Sequence, residues 1–82
     1  MYELWDAESR NMIDTFGSAT EADVILTDIA RNSGPKILDP LFLVYEDENE
    51  ESELIAEGQA ILVAIKRLSA EEKSSAASRR AG

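Results

Sequence analysis

One structural phrase occurs twice in this chain. Residues 2–32 and 41–68 each read as strand, polar turn, strand, helix, and a Phe16-Gly17 or Glu57-Gly58 step separates the second strand from the helix in each copy. The repeat predicts an α+β domain over residues 1–68: two β-β-α units forming a four-stranded, mainly antiparallel sheet with two helices packed on one face. If a pseudo-twofold relates the units, their strands pair across the middle and hide one edge each. The other two edges stay open, and dimerisation would close them.

The local signals are specific. Tyr2-Glu-Leu-Trp-Asp6 alternates large and charged side chains, and Asn11 to Phe16 does so less cleanly after the polar Ala7 to Arg10 connection, which together read as a hairpin. Ser18-Ala-Thr-Glu21 has the capping-box form, so a helix is expected from about Ala19 to Asn32, with Ala22, Ile25, Leu26 and Ile29 on the face that covers the sheet. Ser33-Gly34-Pro35 stops it, and Asp39-Pro40 is a second break. Leu41-Phe-Leu-Val-Tyr45 is apolar on both faces and reads as a central, most buried strand, paired with Glu53 to Ala56. Gln59 to Leu68 places Ile61, Ala64, Ile65 and Leu68 on one helical face, and Leu62 and Val63 widen it beyond what a small sheet requires, which marks a subunit or partner contact. From Ser69 onwards no large apolar residue occurs, so residues 69–82 read as a flexible tail, with Glu71 and Glu72 able to carry the helix on for a turn.

Composition then narrows the function classes. The chain has no histidine and no cysteine, which removes catalytic triads, histidine-ligated metals, zinc-thiolate sites and disulfides. An 82-residue chain buries only about 60% of its unfolded surface, so self-association, a dimer by default, is a natural support. The apolar run Ala60 to Ile65 falls far short of the roughly 20 residues of a bilayer span, and the chain reads as soluble and cytoplasmic. A net charge of −9 repels phosphate backbones and anionic membranes and steers the protein towards basic partners. Direct binding to nucleic acid or to membrane is not expected.

Three constellations carry the chemistry that remains. Glu46 to Glu57 holds seven carboxylates and no cation, and its Asp47-x-Asn49-x-Glu51 start is similar to a calcium loop. Ser52 stands where such a loop needs glycine and Gly58 where it needs its bidentate glutamate, so a solvated turn or a contact to a basic partner is expected and no cofactor or metal is assigned. Trp5 lies on the strand face opposite Tyr2 and Leu4, where it either caps the core or anchors a partner. Asp6, Glu8 and Asp14 cluster near the first hairpin, but acid–base work needs a pocket between carboxylates, and surface charges are the expected outcome.

The segments Tyr2-Glu-Leu-Trp-Asp-Ala-Glu-Ser-Arg-Asn11, Thr20-Glu-Ala22, Glu46-Asp47 and Leu54-Ile-Ala-Glu-Gly58 together resemble a set of short bacterial proteins of uncharacterised function. The resemblance covers about residues 2–58 and implies a free-standing small domain; it carries no activity.

The expected function is therefore non-enzymatic: an acidic protein-interaction module, such as a small regulator, adaptor or antitoxin-like inhibitor, that binds a basic protein surface or a second copy of itself. Glu46, Asp47, Glu48, Glu50 and Glu51 would steer the partner, and Trp5, Leu62 and Val63 would hold it. The alternatives are a nucleic-acid mimic, which requires carboxylates in a regular line, and a small carboxylate-based enzyme, which requires a pocket.

Overall fold

The structure is a computed structural model that describes the backbone of residues 1–81 and the side chains of residues 1–74. In chain order the elements are β1 (Tyr2–Asp6), β2 (Met12–Phe16), α1 (Ala19–Ser33), a 3-10 turn (Pro35–Leu38), β3 (Leu41–Glu46), β4 (Ser52–Glu57) and α2 (Ala60–Ala81). They form one four-stranded antiparallel sheet in the order β2-β1-β3-β4, with two helices, as the repeat predicts. The first strand of each copy pairs with the other across the middle, and Leu4 faces Leu43 directly at the centre of that pair. Both edges of the sheet are second strands of a copy.

The repetition extends into irregular features. The β1–β2 register slips between Leu4 and Trp5, and the β3–β4 register slips at the equivalent step between Leu43 and Val44. Each hairpin turn contains one left-handed residue that is not glycine, Arg10 at φ 61° and Glu50 at φ 64°. In each, an aspartate closes the turn: Asp6 Oδ1 accepts from the Glu8 amide at 3.0 Å and Asp47 Oδ1 from the Asn49 amide at 2.9 Å. The short side chain of aspartate bonds the backbone two residues on, which holds a tight turn that the polar sequence alone would leave open.

The core lies between the sheet and the helices. It comprises Leu4 and Leu43 from the central strands, Phe16, Ala19, Ala22 and Leu26 from the first copy, Leu38, and Ile61 and Ile65 from α2. On α1 the buried row is Ala19, Ala22, Leu26 and Ala30, with Ile25 and Ile29 only half-buried, so the inward face is rotated from the one the large residues suggest. Small residues in that row let α2 approach closely, and Lys66 reaches back across the helix pair to Asp23 and Thr27 at 3.3 and 3.1 Å. Leu38, fully buried, enters the core from the 3-10 turn after Gly34 (φ 87°) has ended α1.

The second helix does not stop near Leu68. It runs to Ala81, Ser69 is buried, and Glu72 binds the start of α1, so the folded unit extends beyond residue 68. The flexible tail expected over residues 69–82 is thus helical backbone as far as Ala81, and the side chains from 75 onward, Arg79 and Arg80 among them, lie outside the described residues. The N-terminus of α1 is capped from two places in the chain. Glu72 Oε2 accepts from the Ala19 amide at 2.7 Å and Oε1 from the Thr20 amide at 3.0 Å, Ser18 Oγ accepts from Glu21, and the Ser18 carbonyl accepts from Ala22. Side chains thereby satisfy the amides of Ala19, Thr20 and Glu21, three of the four that a helix leaves unpaired at its start, and the Ala22 amide makes the first helical bond. The expected reach of Glu21 back to the Ser18 amide lands one residue earlier, on Gly17 N at 2.9 Å.

Candidate functional site

With both helices on one side, the opposite face of the sheet has no covering layer. Strand alternation sends Leu4 and Leu43 under the helices and their neighbours Trp5, Phe42 and Val44 to the other side. The pairings continue the row outward. Trp5 stands opposite Met12 on β2 and Val44 opposite Leu54 on β4, and Met12 and Leu54 are about half exposed, at 48% and 54%. An apolar stripe therefore crosses all four strands. Its centre is a pair of nearly parallel rings, Trp5 and Phe42, with centroids 6.4 Å apart and planes 9° apart. A shallow groove of about 510 Å³ runs along it, flanked by Glu3, Ala7, Arg10 and Ser52.

The rim is acidic. Trp5 Nε1–H donates to Glu3 Oε1 at 3.3 Å, which fixes the indole and sets a carboxylate at its edge. Glu46, at the end of β3, is held above the ordinary carboxyl range by a hydrogen bond with Glu3 and by the like charge of Glu3, with smaller contributions from partial burial and Glu50; the terminal amino group opposes the shift. Among the described residues neither Glu3 nor Glu46 is paired with a lysine or arginine, since the one salt bridge there joins Lys66 to Asp23 on the helical side. Glu57 faces Phe42 across the β3–β4 pair and extends the acidic margin.

The structure separates the residues singled out from the sequence into three groups. Trp5 and Glu46 lie on the open face, although Trp5 caps no part of the core. Asp47, Glu48, Glu50 and Glu51 belong to the β3–β4 turn beside it, where Asp47 Oδ1 accepts from the amides of both Asn49 and Glu51. That carboxylate maintains the turn, as Asp6 does in the first hairpin, and among the described residues no group of three histidine, cysteine, aspartate or glutamate side chains is placed to hold a metal. Leu62 and Val63 lie in the helical layer on the other side: Leu62 is half-buried against the core, and Val63 is 74% exposed. Asp14 Oδ1 accepts from the Thr15 amide, while Asp6 accepts from Glu8 and Ser9 within the first hairpin turn.

Sequence reasoning missed Phe42, Val44, Leu54, Met12 and Glu3. The signal was present in Leu41 to Tyr45, apolar on both faces, which reads as full burial; β3 is central, but only Leu43 in it is buried. Among the described residues no helix is long and apolar enough to cross a membrane. Compared with protein-family models, curated proteins and solved structures, the chain shows no match.

Proposed function

We propose that the protein is a non-enzymatic, acidic interaction module, a small regulator, adaptor or inhibitor, that receives a basic protein surface on the open face of its sheet. The observation that carries this reading is the Trp5–Phe42–Val44 stripe, left uncovered by a chain that packs both its helices on the opposite side. Buried aromatic anchors inside a polar rim are the anatomy of a contact surface, and carboxylates around them select cationic partners and speed their encounter. The carboxylates border an apolar middle and do not form a line of charge, which supports a docking module over a nucleic-acid mimic.

A second copy of the chain is the weaker occupant. Two such faces laid together would bring Glu3 and Glu46 of both copies into one interface, adding like charge where it already raises Glu46. The sheet edges are also poor templates, because a bulge interrupts the pairing of each edge strand and β4 carries Glu53 and Glu57.

The test is a salt-resolved binding measurement against a captured partner with three baits: the natural chain, Trp5→Ala, and the Glu3→Gln/Glu46→Gln double variant. A basic protein held by the natural chain, released at high salt and lost by both variants supports the proposal. Affinity that does not change with salt argues against it.

A further inference from the structure

The geometry points to an arginine as the anchor that the partner presents: its guanidinium lies over the Trp5–Phe42 rings and pairs with Glu3 and Glu46. This inference deepens the docking reading of the open face and rests on it. Three observations converge. The two rings are nearly parallel and neighbours across the β1–β3 pair, and both are only half-buried, so an aromatic platform meets solvent. Glu3 is tied to the indole N–H, which orients its carboxylate along the ring edge where a stacked planar cation would present its N–H groups. Glu46 stands next to Glu3, and among the described residues neither carboxyl is salt-bridged to a lysine or arginine; the terminal amino group acts on Glu46, and Arg10 lies farther along the groove margin.

A guanidinium fits these constraints better than an ammonium. It is flat, stacks on an aromatic face, keeps its charge at any relevant pH and offers a fork of donors to paired carboxylates. A lysine ammonium could satisfy one oxygen at a time and would gain less from the platform. Val44 and Leu54, which continue the stripe towards β4, would take an aliphatic or aromatic side chain flanking the arginine. The occupant is thus a basic protein segment with an arginine next to an apolar residue. A second copy of this face would bring Arg10 at its groove margin but also Glu3 and Glu46 of its own, so most of the charge meeting across such a contact would be like charge.

The test is selection of displayed random dodecapeptides on the full chain, with parallel selections on Trp5→Leu and Glu3→Gln/Glu46→Gln, each checked for folding by circular dichroism. Expected is enrichment of arginine adjacent to an apolar residue on the natural chain. The best peptide should lose about tenfold in affinity on Trp5→Leu, and a comparable amount on the double variant, which keeps the rings. Changing its arginine to lysine should weaken it several-fold, and Trp5→Phe should bind within a few-fold of the natural chain. Equal enrichment of lysine and arginine, still lost on both variants, would overturn the arginine assignment and leave the docking face standing. Basic peptides that bind all variants alike, or selection of neutral or acidic sequences, would overturn the assignment and the docking face together.

Discussion

The two faces of the sheet are made by the same five or six residues of β1 and β3, yet one is sealed and the other open. Leu4 and Leu43 are buried at 2% and 0% exposure, while the residues next to them in sequence, Trp5, Phe42 and Val44, keep part of their surface in water. Nothing in the side-chain chemistry distinguishes the two sets, since both are large and apolar. What differs is the number of layers: both copies send their helix to the same side, so a sheet with two apolar faces receives one cover. An uncovered apolar face of this kind is what the proposed docking role rests on.

Substitutions on the two faces should break the protein in different ways. Leu43→Ala removes a fully buried side chain at the centre of the pseudo-twofold and should cost about 3 kcal/mol, a large share of the stability of a domain this size, without changing affinity per folded molecule; urea melts with parallel binding assays would check both. Glu72→Gln weakens the cap on α1 and should cost about 1 kcal/mol. This loss carries a pH signature. Burial works against ionisation of Glu72, but the hydrogen bonds from Ala19 and Thr20 outweigh it and hold the carboxyl below its ordinary value of 4.5. The contribution is therefore complete above that ordinary value and disappears as pH falls through the lowered one, so thermal melts of the variant and the natural chain should converge in acid.

The open face should respond in the opposite sense. Trp5→Ala forfeits the pairing with Phe42 and should cost only about 1 kcal/mol of stability while abolishing most partner binding, measured by the same two assays. Binding of a basic probe should strengthen as pH rises through the raised value of Glu46, because only the ionised carboxyl attracts a cation; a flat pH profile would remove Glu46 from the contact. Val63→Ser, on the outer side of α2, should change stability by no more than about 0.5 kcal/mol and leave binding untouched. A loss of binding there would move the docking surface to the helical layer.

The features legible in the sequence were those written in neighbouring residues. The alternation of β1, the Ser18 cap with Glu21 three residues on, and the Gly34-Pro35 stop each specify a local conformation, and the structure has all three. Leu38 was not legible, because an apolar residue in a four-residue turn between two proline breaks has no period to reveal its burial. Neither was the length of the folded part of α2. Ser69 and Glu72 look like the opening of a polar tail until Thr20 is placed opposite them, and contacts separated by 49 and 53 positions leave no local pattern. For the candidate site the sequence identified Trp5 and Glu46 but not that they share a face with Phe42 and Val44, since the absence of a covering layer is a property of the whole topology.

The Glu72 cap also bears on how the protein is made. The amides at the start of α1 take their partners from a residue more than fifty positions later, and β1 finds its inner neighbour only in β3. During synthesis the first copy therefore emerges with its strand unpaired on one side and the Ala19 and Thr20 amides of its helix start unsatisfied, with Ser18 alone as cap, and it waits for most of the second copy before either is completed. Despite its duplicated sequence, the chain has no half that can finish alone, and an arrested nascent chain ending before Glu72 should be protease-sensitive throughout.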